Sequence, residues 1–260
     1  MSTSKKPKIF AHRGARTQAP ENSQKAFELA LEQQADGLEC DIQLSRDGIP
    51  LLWHDDSLER IGLRNKCTSH YKWEDLQLLD ISPLQSYGYE SYTGLLSLEE
   101  FLCRFSHKTT LLLEIKNQSN DFGSRHNSKI DKTLEIIENT TLPERQKSYF
   151  ISSFDFESLC FAHQRSPQFN YIANIEELES PKQIADFYTE MPFLNGVCID
   201  LKIITPEACT VAREFNLSTA VYTCNNGKDL LKAMKCNVDT VITDYPGRMR
   251  FILNSQEKIE

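Results

Sequence analysis

Long apolar runs are absent from this chain. No stretch approaches the ~20 residues that cross a bilayer. The polar, basic Met1–Lys8 segment leads only into Ile9-Phe10-Ala11, too short for the apolar core of a secretory leader. There is no C-x-x-C pair, which removes zinc-ribbon and thioredoxin-like readings. There is no Lys/Arg block, and the formal net charge is −8, which disfavours nucleic acid and anionic membrane surfaces as partners. Also missing are G-x-x-x-x-G-K-[ST], G-x-G-x-x-G after a strand, and G-x-S-x-G, so nucleotide-binding and serine-hydrolase chemistry lack their signatures. The eight cysteines, at 40, 67, 103, 160, 198, 209, 224 and 236, are widely spaced, and several fall in apolar runs. They read as reduced, mostly buried thiols of a cytoplasmic protein.

What the chain does have is 260 residues, 40% of them apolar, enough for one large domain. Short apolar runs alternate with helical patterns from end to end. Candidate strands are 9–11, 37–44, 110–116, 149–152, 170–173, 197–199, 219–223 and 240–243. One helix is expected to start at Asn22 as its N-cap and to carry Ala26, Leu29, Ala30 and Gln33. Another opens on Pro206 and repeats Ala208, Val211, Ala212 and Phe215 as a one-sided stripe. Strand–helix alternation implies a parallel sheet covered by helices. Eight units in this length favour a closed (β/α)8 TIM barrel, typically ~250 residues, over an open sheet. The pattern breaks between His54 and Leu98, where Tyr71, Trp73, Tyr87, Tyr89 and Tyr92 cluster. Residues 57–96 read as an insertion on the barrel mouth, which either walls one side of the site or packs without touching substrate.

The charged residues that carry chemistry lie at strand ends. Side chains alternate faces along a strand, so Glu39 and Asp41 share one face, and so do Glu114 and Lys116. Each pair follows an apolar start and therefore sits toward the C-terminal end of its strand, where barrel active sites are built. Three carboxylates aimed into one mouth repel each other unless a cation or ion pairs neutralise them. An all-oxygen set of Glu39, Asp41 and Glu114 suits Mg2+ or Ca2+ rather than zinc. His12 and His54 are the acid–base candidates, because histidine titrates near neutrality. Arg13 offers a planar fork for phosphate oxygens, Gly14 permits a tight turn, and Lys116 adds a second positive charge. His70, His107, His126 and His163 are read as ordinary structural residues. Cys40 is rejected as a nucleophile because it points to the face opposite its two acidic neighbours.

These residues resemble the glycerophosphodiester phosphodiesterase family. The resemblance runs through His12-Arg13-Gly14, Pro20-Glu21-Asn22-Ser23, Gly37 to Gly48, His54-Asp55, Glu114-Ile115-Lys116, Ser153-Phe154-Asp155, Val221-Tyr222-Thr223 and Val241 to Pro246. It implies a TIM barrel with a small insertion after the second strand and a divalent metal on Glu39, Asp41 and Glu114. It also implies His12 and His54 as general acid and base, with Arg13 and Lys116 on the phosphate. Phe154 and Tyr222 would contact the rest of the substrate. The implied reaction is hydrolysis of a glycerophosphodiester to sn-glycerol 3-phosphate and an alcohol. A lysophospholipase D acting on monoacyl lipids is the alternative within that chemistry. A non-catalytic phosphodiester-binding barrel is the alternative outside it. Tyr222 stands where the family usually has tryptophan, and Asn237 where glycine is common, a position at which Asn tolerates positive φ.

Overall fold

A computed structural model of the chain describes residues 6–84, 92–117 and 124–256; Tyr87 and Tyr89 lie outside them. In chain order the strands are β1 (Lys8–His12), β2 (Gly37–Leu44), β3 (Pro50–Leu52), β4 (Thr110–Ile115), β5 (Tyr149–Ser153), β6 (Asn170–Ile175), β7 (Leu194–Asp200), β8 (Ser218–Tyr222) and β9 (Thr240–Thr243). The helices are α1 (Gln24–Glu32), α2 (Trp73–Leu76), α3 (Leu98–Phe105), α4 (Ser124–Thr140), α5 (Pro143–Gln146), α6 (Phe156–Arg165), α7 (Gln183–Glu190), α8 (Pro206–Glu214), α9 (Gly227–Lys235) and α10 (Pro246–Gln256).

Eight of the strands are parallel, and β1 pairs with both β9 and β2, which closes the sheet into the expected (β/α)8 barrel. Period-2 alternation sorts the strand residues into two layers. Ile9, Ala11, Leu38, Cys40, Ile42, Leu111, Leu113, Ile115, Tyr171 and Ala173 join the outer core against the helices. The inward residues Phe10, Leu112, Ile172, Cys198 and Ile242 form a separate apolar cluster inside the barrel. Two residues further along their strands, on the same face, stand His12, Glu114 and Asn174. An apolar plug thus fills the barrel below a polar mouth. Burying such a plug is worth roughly 2 kcal/mol per large side chain.

Local signals set the helix starts. Ser97 and Glu100 close a capping box on α3, and Thr205 caps α8 ahead of Pro206. The cap of α1 is Ser23, whose hydroxyl accepts from Ala26 N at 3.2 Å, and not Asn22 as expected. Asn22 takes a positive φ of 56°, and its side chain is committed instead to Asp41.

β3 is absent from the strands expected, being only three residues and containing a proline. It returns antiparallel along the end of β2, pairing Leu52 with Ile42 and Pro50 with Leu44. Gly48, at φ 83°, helps turn the chain back. Leu51 of β3 and the described residues that follow it form an apolar cluster of their own, with Leu51, Trp53, Leu58, Leu76, Ile81 and Leu95 buried and Tyr71 and Trp73 packed against them. No helix among the described residues is long and apolar enough to cross a membrane.

Candidate active site

The site assembles at the C-terminal ends of the strands. His12 is the last residue of β1, and after it the backbone enters two left-handed residues, Arg13 at φ 56° and Gly14 at φ 81°. Gly14 has no substitute here, because a Cβ would stand 2.6 Å from the Ala26 backbone. The turn aims Arg13 N at Glu39 Oε2, 2.9 Å away.

Glu39 and Asp41 on β2 and Glu114 on β4 bring one oxygen each to within 4.8 Å of one another. Asp41 also lies 3.0 Å from Arg13 Nε, 3.7 Å from Lys116 Nζ and 2.9 Å from Asn22 Nδ2. Glu114 takes Lys116 Nζ at 2.7 Å and Asn174 Nδ2 at 3.3 Å. Ion pairing and carboxylate clustering, weighed against each other in the sequence, therefore occur together.

The cations are unevenly shared. Burial alone would raise the Asp41 carboxyl, but Arg13 and Lys116 hold it well below the usual range. Burial and the neighbouring Asp41 and Glu114 push Glu39 well above it. Burial raises Glu114 as well, with Lys116 opposing and Asp41 adding to the shift.

These residues fit a divalent cation on three counts. The donors are all hard oxygen. Glu39 Oε1 is buried with no hydrogen-bond partner. Glu39 and Glu114 border a cavity of about 30 Å3, room for an ion or a water, which His12, Ser152, Asn174 and Tyr222 line on its polar side and Leu112, Cys198 and Ile242 on its apolar side.

Two histidines border the cluster. His12 Nδ1 is 2.6 Å from Asp244 Oδ1, and His54 Nδ1 is 2.7 Å from Asp55 Oδ1. Ionised carboxylates only accept, so Nδ1 of each ring donates and Nε2 is left for a proton in transit. Burial lowers the His12 pKa, and Arg13 adds to this against the pull of Asp244. Burial by itself would raise Asp244 and Asp55, yet their histidine hydrogen bonds, with arginine nearby, bring each down to about 2. His54 owes its place to β3, because Trp53 N donates to Asp41 O at 3.0 Å and His54 follows directly.

Lys116 Nζ also lies 5.8 Å from the Phe154 ring centroid, and Phe154 meets Tyr222 edge-on at 5.8 Å. All nine residues singled out from the sequence thus gather about one mouth. Cys40 faces the outer core, as alternation requires, and burial raises its thiol well above the ordinary value. His70, His107, His126 and His163 do not join the site; His163, for example, stacks on Phe193 at 4.1 Å.

Sequence reasoning assigned no role to Asp55, Asp244, Glu21, Arg16 or Arg60. Glu21, Asp55 and Asp244 lie inside motifs that carry the resemblance, and the adjacency of Asp55 to His54 was the one usable local signal. Asp244 gives no such signal, since its partner is 232 residues away.

The profile of the Glycerophosphoryl diester phosphodiesterase family matches residues 12–248. A glycerophosphodiester phosphodiesterase of Bacillus altitudinis is 28% identical over 247 residues, covering 93% of this chain and 96% of that one. One from Bacillus subtilis (strain 168) is 27% identical, covering 91% and 83%. Among solved structures, an Oleispira antarctica phosphodiesterase in complex with the product sn-glycerol-3-phosphate superposes with a TM-score of 0.84 at 24% identity, covering 95% of this chain and 97% of that one. With a match that begins at His12 and runs to the first turn of the last helix, the chain belongs to the glycerophosphoryl diester phosphodiesterase family.

Proposed function

We propose that this protein hydrolyses glycerophosphodiesters to sn-glycerol 3-phosphate and an alcohol. Glu39, Asp41 and Glu114 hold one divalent cation, Mg2+ or Ca2+, and His12 and His54 serve as general acid and base. The observation that carries this is the pair of histidines beside one oxygen-ligand cluster, each with Nδ1 held by a carboxylate. Family membership and the product held by the Oleispira antarctica relative support the choice of substrate class.

When bound, the cation neutralises phosphate charge and lowers the pKa of an attacking hydroxyl. The chain's own groups do the rest. Arg13 and Lys116 hold the phosphoryl oxygens. One histidine accepts the proton of the attacking hydroxyl at Nε2, and the other delivers a proton from Nε2 to the leaving alkoxide. Such assistance is worth roughly 10²–10⁴-fold. Phe154 and Tyr222 form an aromatic wall for the carbon skeleton. The described residues of the insertion at 57–96 wall one side of the mouth, a role supported by Arg60, which reaches Glu21 and Asp55.

The lysophospholipase D alternative needs an apolar groove, but Trp53, Trp73 and Tyr71 are engaged in the insertion's own cluster. The test is a panel of glycerophosphocholine, glycerophosphoethanolamine, glycerophosphoinositol and lysophosphatidylcholine. Glycerol 3-phosphate and free choline are read with Mg2+, with Ca2+ and with chelator. Release of glycerol 3-phosphate from the deacylated diesters only with metal is expected. Preferential turnover of lysophosphatidylcholine, or binding without turnover, would replace this reading with one of its alternatives.

A further inference from the structure

Glu21 touches neither the carboxylate cluster nor the histidines, yet it is 4% exposed and carries three guanidinium groups. Arg13 Nη1 lies 3.1 Å from Oε1, Arg60 Nη2 2.6 Å from Oε1, and Arg16 Nη2 2.8 Å from Oε2. Two of these arginines reach a second carboxylate. Arg60 Nε pairs with Asp55 Oδ2, and Arg16 Nη1 lies 3.5 Å from Asp244 Oδ1. Those carboxylates are the ones that hold His54 and His12. The result is a chain of alternating charge from one histidine to the other: His12, Asp244, Arg16, Glu21, Arg60, Asp55, His54.

We propose that Glu21 is a positioning residue for both histidines, acting through Arg60 on His54 and through Arg16 on His12. This rests on the assignment of the two histidines as acid and base. A partner that fixes a ring through its Nδ1 hydrogen bond sets both its orientation and its tautomer.

The two branches differ in strength. Asp55 lies outside the barrel strands, and its hydrogen bonds among the described residues are to His54 and Arg60. Asp244 has a second support, Asn225 Nδ2 at 2.8 Å, and its contact with Arg16, at 3.5 Å, is the longest in the chain. His54 therefore depends on Glu21 more than His12 does. Burial alone would raise the Glu21 carboxyl, but its arginines hold it below the ordinary value, so it stays charged as the centre of the network.

The test uses 15N-histidine-labelled full-length protein, with the two Nδ1–H resonances assigned from His12→Ala and His54→Ala. Arg60→Met is expected to shift or broaden the His54 signal and leave that of His12 in place. It should cut kcat about 10- to 100-fold with KM within about twofold. Arg16→Met should give a smaller change, confined to His12. Glu21→Gln should disturb both signals and also raise KM, because it releases Arg13. Unmoved signals together with wild-type kcat in Glu21→Gln and Arg60→Met would overturn the proposal. If Glu21→Gln does not fold, Arg60→Met decides alone, its side chain being 38% exposed. Wild-type turnover in His12→Ala or His54→Ala would defeat the acid–base assignment, while the Nδ1–H signals would still report on the network.

Discussion

His12 and Asp244 meet at 2.6 Å across the seam where β1 pairs with β9. One hydrogen bond thus joins the first strand of the barrel to the turn after its last. The ring that sits at this junction is held on one side by a carboxylate and leaves Nε2 free. Closure of the barrel and preparation of the histidine are therefore the same event.

Replacing Asp244 with Asn removes the charge while keeping the shape. Steady-state assays should show kcat about 10- to 100-fold lower with KM little changed. Stability should respond with a definite sign. The folded Asp244 carboxyl sits at about 2, against roughly 3.9 when unfolded. Its contribution is full above about pH 4 and is lost as pH falls through 2. Urea unfolding should show wild type ahead of Asp244→Asn by about 2 kcal/mol more at pH 6 than at pH 2. A difference independent of pH would count against this pairing.

His12→Ala and His54→Ala should each lose at least ~10²-fold in kcat while far-UV circular dichroism stays native. Neither ring belongs to the apolar clusters, so the barrel forms without them, His12→Ala losing only the hydrogen bond to Asp244. Turnover within a few-fold of wild type in either variant would remove that residue from proton transfer.

Metal should act on stability as well as on activity. Mg2+ or Ca2+ should raise Tm in differential scanning fluorimetry, and chelator should lower Tm and abolish turnover. Glu39→Gln separates the two effects. A carboxyl whose folded pKa is raised favours the fold below its unfolded value of about 4.3 and loses that contribution as pH rises. At neutral pH Glu39 thus works against the metal-free fold. Metal-free Glu39→Gln should melt at or above wild type, yet be inactive and show no metal-induced rise. A clearly lower Tm would mean that Glu39 serves a structural ion pair instead.

Gly14→Ala tests the turn that carries Arg13. It adds a side chain at φ 81° and sets a Cβ 2.6 Å from backbone. Strain and overpacking together should cost about 2 to 4 kcal/mol. Chemical denaturation should show this loss, with KM rising as Arg13 is displaced.

The barrel was legible because its strands alternate strictly. In Leu38-Glu39-Cys40-Asp41-Ile42, period 2 alone assigns the acids to one face and the apolar residues to the other, and the layers follow that division. Helix caps were less secure. Asn22 and Ser23 are both good cap residues side by side, and only the pull of Asp41 on Asn22 separates them. β3 was not legible at all, since three residues with a proline carry no periodic signal.

The residue pattern by itself determined the parallel barrel, the inward face of β2 and β4, and the set of acids, bases and cations that line the mouth. These follow from local rules, because the direction of a strand side chain depends only on its position along the strand. Tertiary structure decided which groups govern one another. His12 gains Asp244 only when β9 closes on β1, Trp53 N reaches Asp41 O and so sets His54 beside the cluster only because β3 folds back on β2, and Glu21 binds three arginines from two separate segments. Such hydrogen bonds depend on distances of about 3 Å between segments far apart in the chain, and these are set by strand register and closure rather than by any local spacing.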